Sequence, residues 1–432
     1  MNASKLANYT DAKARRLWTT LYLCAKENPK RRFHVLYDKI YRPDILAEAW
    51  RRVKRNKGSG GVDGQTIEKI VQEYGESRFL NEIYLQLKGK KYHPSPVRRT
   101  FIPKADGKQR PHSIPTIKDR VVQMATKMVI EPIFEADFKD CSFGFRPKRN
   151  AHQAIAQIRR ASKSTSWVVD VDIKGYFDNI NQDKLMRLVE ARISDKRVLK
   201  LIRKWLEAGV MEDDQFHDTE MGTPQGGVIS PLLANIYLNY MDTIWEKKFA
   251  HLGKLVRYAD DFVIMCRTKA EAMESIRVVK AIMQKLDLTL SKEKSKLVNT
   301  WDGLEGFDFL GFHHRKFPHL EKGGKTIYVL SHIPSRKAMK KMRESVKTFT
   351  EPRSKLFWKL DDLVKGLNRR LQGFKNYYQL SPMSKEWLNR IDWYVIKRLI
   401  LFWNKKKNRR NKHGKTREVV RLTQDKLVKL AS

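Results

Sequence analysis

Cysteine is scarce in this 432-residue sequence: Cys24, Cys141 and Cys266 are the only three, and no two have metal-ligand or redox-motif spacing. That argues against a disulfide scaffold, a zinc ribbon or finger and a cysteine-based nuclease module. It fits a reducing compartment such as the bacterial cytoplasm, with an organelle matrix as the alternative. No apolar run approaches the ~20 residues that span a bilayer, so no membrane span is expected. Internal repeats and low-complexity linkers are missing too. Acidic residues are outnumbered, 48 against 88 Lys and Arg, a formal net charge of +40. Such a chain repels itself unless a polyanion is near. Nucleic acid is the expected partner, ahead of an anionic membrane surface.

What is present supports sizeable cores: 41% of residues are hydrophobic and 10% aromatic. Residues 1–57 read as helical and basic, and 65–88 as a second helix. From Lys88 to Arg120 ten Lys or Arg face two Asp, and "ADGK" (105–108) reads as a hairpin turn between two strands. Helices are expected at 118–135, 150–162, 183–208 and 269–286. "SWVVDVDIKGYF" (166–177) reads as a strand running into a turn. "GTPQGG" (222–227) is a Gly/Pro loop feeding a long helix. From about Ser335 the pattern turns helical and basic, with interleaved aromatics.

The chemistry centres on carboxylates. "KLVRYADDFVIMC" (254–266) sets Asp260 and Asp261 inside an otherwise apolar run. Two such charges about 4 Å apart repel by roughly 4 kcal/mol at an effective dielectric near 20. Either a solvated hairpin turn or a metal site answers that repulsion. About 90 residues earlier, Asp170 and Asp172 stand two apart on a strand, sharing one face. Carboxylates from two strands are what two-metal phosphoryl transfer needs, although an exposed strand face explains Asp170 and Asp172 taken alone.

Six ordered blocks resemble the reverse transcriptases of group II introns: "IPKADGKQRPHSIPT" (102–116), "SFGFRPKRNAHQAI" (142–155), "DIKGYFD" (172–178), "GTPQGGVISPLLANIYL" (222–238), "YADD" (258–261) and "FLGF" (309–312). The resemblance implies an α+β fold, a right-hand polymerase with fingers, an antiparallel palm sheet and an α-helical thumb. It suggests three segments: 1–95 as an N-terminal extension with the start of the fingers, 96–318 as fingers and palm, and 319–432 as thumb with a basic tail. It implies RNA-directed DNA synthesis with two Mg²⁺ ions, Mn²⁺ being a substitute, held by Asp172, Asp260, Asp261 and the backbone of Ile173. Asp172 is preferred over Asp170 because an aromatic, Phe177, follows five residues later. Lys104 and Arg110 would hold the incoming triphosphate, with a solvated basic hairpin as the alternative. Pro224 and Gln225 would contact the nucleotide, and Phe177 its 2′ position. Arg146 touches either the template or a structural carboxylate. His112 departs from the family pattern, which has an apolar residue there. Lys294 reads as a solvated lysine or a leaving-group aid.

Between Lys397 and Arg421 there are eleven Lys or Arg and one Glu. Lys397, Arg398, Lys405, Lys406, Arg409 and Arg410, with Trp393 and Trp403 nearby, suit phosphate contact and base stacking. An amphipathic helix with a solvated basic face is the alternative. "LNRRLQGFKNYYQL" (367–380) resembles the family's maturase region. The implied partners are an RNA template, structured intron RNA, a DNA or RNA primer and dNTPs, in splicing and retrohoming. No endonuclease domain is expected. Rival readings are a splicing factor without needed polymerase activity and a reverse transcriptase in phage defence or a CRISPR-linked system.

Overall fold

A computed structural model describes residues 11–103, 107, 109–212, 215–218, 221–291, 293, 295–321, 324–407 and 416–432. It divides into two compact units. One runs through Ile158 and resumes at Val169–Lys296; the other is Arg159–Val168 with Leu297–Ser432. The sequence boundary at 318/319 falls inside a strand, Phe312–Leu320.

In the first unit the central element is α1 (Ile117–Glu135), buried along most of its length. Its sequence, VVQMATKMVIEPIF, is apolar on nearly every face, as a helix enclosed by other elements requires. Thr116 caps it by accepting from the Asp119 amide at 3.1 Å. A hairpin precedes it: β1 (Val97–Pro103) pairs antiparallel with β2 (Gln109–Ile114), Arg98 opposite Ile114 and Pro103 opposite Gln109. The turn expected at "ADGK" falls on the connection between these strands, where Ala105, Asp106 and Lys108 lie outside the described residues.

The palm-type strands follow. β3 (Trp167–Val171) lies beside β7 (Asp261–Cys266), which pairs with β6 (Lys254–Tyr258) in a register ending at Tyr258 opposite Asp261. The run at 254–266 is therefore two strands with Ala259 and Asp260 as the turn. Helix α2 (Ser230–Ile244) starts three residues after Gly227, so "QGG" forms a turn ahead of the helix and not its first residues.

Two expected helices are broken. The 65–88 helix stops at Gly75, which takes φ +90, a left-handed value favouring glycine, before Glu76–Lys88 resumes. The 183–208 helix splits into Gln182–Glu190 and Lys196–Leu206. Asp195 starts the second piece and also accepts from the distant Leu36 and Tyr37 amides at 2.9 and 3.0 Å. That long-range task outweighs local helical periodicity.

The second unit holds an antiparallel meander: β9 (Gly306–Phe309), β10 (Phe312–Leu320) and β11 (Thr326–Pro334). Then come helices α3 (Arg336–Thr350), α4 (Leu360–Tyr378) and α5 (Ser384–Lys406). Val346, Leu363, Leu367, Leu388, Val395 and Leu399 form their shared core, which Val419 and Leu430 complete. The three cysteines are unpaired. No helix among the described residues is long and apolar enough to cross a membrane.

Candidate active site

Asp172 lies one residue beyond β3, where the chain turns. Its carbonyl accepts from Ser291 at 2.8 Å and the Lys174 amide donates to Thr289 at 2.9 Å, making an antiparallel bridge between Ile173 and Leu290. The two bonds use neighbours of Ile173, not the Ile173 carbonyl. Asp260 occupies the β6–β7 turn. Burial lifts its carboxyl above the ordinary range; the negative charge of Asp172 adds to this, while Arg110 and Arg257 pull it down. Asp172 and Asp260, far apart in sequence, therefore act on one another. Asp261 opens β7 and is exposed; Asp170 is half-buried on β3. Among the described residues no three His, Cys, Asp or Glu side chains form a ready-made metal cage.

Beside these acids is a cavity of about 480 Å³, lined in part by Ile102, Arg110, His112, Phe145, Phe177 and Gln225. Phe177 is held from two sides. Its carbonyl accepts from the Thr223 amide at 2.8 Å, and its ring meets that of Tyr176 edge-on, centroids 5.4 Å apart. Tyr176 is itself anchored by a 2.6 Å hydrogen bond to the Ala234 carbonyl of α2. Gln225 is fixed by its backbone carbonyl, which accepts from Ser113 at 2.5 Å, and by its side chain, which accepts from Arg110 Nε at 2.9 Å. Pro224 accepts from the Ser230 hydroxyl at 2.9 Å. His112 packs over Gly226, where a Cβ would come within 2.8 Å of the imidazole.

Two segments of this chain match known families: residues 102–314 match "Reverse transcriptase (RNA-dependent DNA polymerase)", and 339–420 match "Group II intron, maturase-specific domain". Protein YkfC of Escherichia coli is 34% identical over 376 residues, covering 78% of this chain and 94% of that protein. The group II intron-encoded protein LtrA of Lactococcus lactis is 41% identical over 221 residues, 50% of this chain and 36% of LtrA. The chain belongs to the group II intron reverse transcriptases and maturases. A structure of telomerase from Candida albicans is also similar, at TM-score 0.43 and 14% identity, covering 78% of this chain and 62% of that one.

In this group II intron reverse transcriptase, an RNA-directed DNA polymerase with a maturase domain, some expected contacts are realised differently. Arg146 does not reach outward. Its side chain is buried against Glu135 at 2.7 Å, and the guanidinium also donates to the Lys139 and Ser142 carbonyls at 2.5 and 2.8 Å. Of the two expected roles, the structure shows the one with a buried carboxylate. Lys406 is likewise spent on backbone, donating to the Leu356 and Trp358 carbonyls at 2.6 and 2.9 Å. Arg398 donates to the Thr350 hydroxyl at 3.0 Å. Lys397 and Lys405 are exposed on α5. Lys104, Lys294, Arg409 and Arg410 lie outside the described residues.

Sequence reading passed over Asp178, which holds Gln225, and Arg257, which lies fully buried behind the Asp260 turn. A lone arginine in the apolar run "KLVRY" was the available signal, since an unpaired buried charge is not tolerated.

Proposed function

We propose that this polymerase extends the 3′-hydroxyl of a DNA or RNA primer with dNTPs along an RNA template, with structured intron RNA as its second partner in splicing and retrohoming. One observation carries the reading. The charge of Asp172 acts on Asp260, and Arg110, which acts on Asp260 as well, lines the same cavity as Gln225 and Phe177.

Reverse transcriptases use divalent metal ions. Carboxylates and a backbone carbonyl are hard oxygen donors of the kind Mg²⁺ takes, and a crowded acid pair is relieved by such a cation. Asp172, Asp260, Asp261 and the Ile173 carbonyl would hold two Mg²⁺, or Mn²⁺ in their place. Bound there, the metals would activate the attacking hydroxyl and neutralise the leaving pyrophosphate. The protein's own groups position the reactants. Arg110, with Lys104, binds the triphosphate as a cationic clamp. Gln225 and Pro224 orient the nucleotide, and Phe177 closes the cavity against a 2′-hydroxyl. Lys397 and Lys405 offer phosphate contacts to RNA. We propose the functional division 1–95, 96–318 and 319–432, whose last boundary crosses the Phe312–Leu320 strand, and a reducing cytoplasm as the setting.

The test is primer extension by Asp260→Asn and Asp261→Asn. Each should lose extension while RNA affinity stays near normal, because binding rests on dispersed cations. Extension at the unmodified rate by either variant refutes the metal assignment.

A further inference from the structure

The buried ion pair of Arg257 and Asp242 is placed where it can govern the Asp260 turn. Both residues are 0% exposed. Taking two such charges out of water costs several kcal/mol per ion, and a hydrophobic pair of similar volume is often as stable. The arrangement does more than pair charges. Arg257 Nε donates to Asp242 Oδ1 at 2.9 Å and Nη2 to the second carboxylate oxygen. Nη1 donates at 3.1 Å to Asn235 Oδ1 and at 2.8 Å to the carbonyl of Ala259.

That carbonyl belongs to the peptide joining Ala259 to Asp260. Ala259 has φ +59, a left-handed conformation that a non-glycine residue adopts at a cost of about 1–3 kcal/mol. Such a conformation persists only when its surroundings over-determine it. The surroundings here are three chain segments meeting at Arg257. Its amide donates to the Cys141 carbonyl at 2.7 Å and its carbonyl accepts from Phe143 at 2.9 Å. Asn235 on α2 donates to the Gly144 carbonyl at 2.8 Å. Gly144 packs so tightly on the turn that a Cβ there would collide with the Ala259 amide nitrogen.

We propose that Arg257, held by Asp242 and Asn235, is a positioning residue that sets the Ala259–Asp260 peptide and with it the aim of the Asp260 and Asp261 carboxylates. The proposal rests on reading those acids as metal ligands. A guanidinium is required because one planar group must serve two carboxylate oxygens, an amide and a carbonyl together; a lysine ammonium keeps the charge but cannot span all four.

The experiment uses the full chain carrying Arg257→Lys, with Asp260→Asn beside it. Extension kinetics on a primer-template give kcat and the KM for dNTP. Electron paramagnetic resonance of Mn²⁺ reads metal occupancy in a complex of protein, chain-terminated primer-template and dNTP, where no chemistry occurs. Arg257→Lys should lower kcat about 10- to 100-fold, since small misplacement of reacting groups costs that much. It should raise the Mn²⁺ midpoint several-fold and leave RNA affinity within about twofold. If Arg257→Lys does not fold, Asn235→Ser, which spares the ion pair, should show the same pattern in smaller degree. A folded variant with unchanged kcat and Mn²⁺ midpoint overturns the positioning role. Full extension and metal binding by Asp260→Asn would instead overturn the metal reading beneath it.

Discussion

Gln225 donates through its side-chain nitrogen to both carboxylate oxygens of Asp178, each at 2.8 Å. Its amide oxygen faces Arg110, which can only donate, so the chemistry of the two neighbours fixes which way the amide points. Gln225 is thus set before any nucleotide arrives.

Asp178→Ala should release that amide. A hydrogen bond to a charged partner contributes about 1.5–3 kcal/mol at most, and Asp178 is exposed, so the loss should be smaller. A rise of roughly 3- to 10-fold in the KM for dNTP is expected, with kcat reduced less. Single-nucleotide incorporation kinetics would show it; an unchanged KM would mean that Gln225 does not orient the nucleotide.

Phe177→Ala should relax sugar selectivity. The Thr223 amide holds the Phe177 backbone carbonyl and Tyr176 meets the ring edge-on, so the ring presents a fixed wall to the cavity. Removing it opens room for a 2′-hydroxyl, and the ratio of kcat/KM for dNTP over rNTP should fall at least about 10-fold. A destabilised variant with the original ratio would make Phe177 a packing residue alone.

Arg146→Met should affect folding and not RNA binding. It strands Glu135, whose carboxyl burial already pushes upward while Arg146 pulls it down. Breaking such a buried pair costs about 3–5 kcal/mol. Urea unfolding should register the loss, and replacing Glu135 by Leu in the same chain should recover much of it. Reduced RNA affinity at unchanged stability would restore Arg146 to the template.

The second unit should weaken in acid. His314 and His332 are buried against each other on β10 and β11, Nδ1 to Nδ1 at 2.8 Å. Burial, with Arg159 nearby, lowers His332 to about 4. The unfolded chain takes up a proton near pH 6.5 that the folded chain refuses until about 4. Stability is therefore full above 6.5 and drains as pH falls between those values, by about 3 kcal/mol for His332. His332→Leu should flatten denaturant midpoints across that window; an unaltered slope would mean that His332 does not carry the effect.

Much of this protein is legible along the chain because its signals are local. The β1–β2 hairpin, the helix after "QGG" and the basic helical end follow from periodicity and turn chemistry over a few residues. The adjacent acids stand out for a different reason: two neighbouring charges in an apolar run call for either a turn or a site, and the structure sets Asp260 in the β6–β7 turn with Asp172 acting on it. What the sequence could not disclose depends on partners far away in it. Gly75 and Asp195 break helices whose periodicity is otherwise sound, one through a left-handed φ and the other through bonds to residues near 36. Arg146 and Lys406 look like RNA ligands by type, yet spend their donors inside the fold. Arg257 looks like one more cation among 88, and only the convergence of the 141–144 segment, α2 and the β6–β7 turn gives it a task. A side chain's type determines which bonds it can make; the tertiary structure decides which atoms are within reach, because a hydrogen bond requires a partner within about 3 Å and sequence order does not supply that distance.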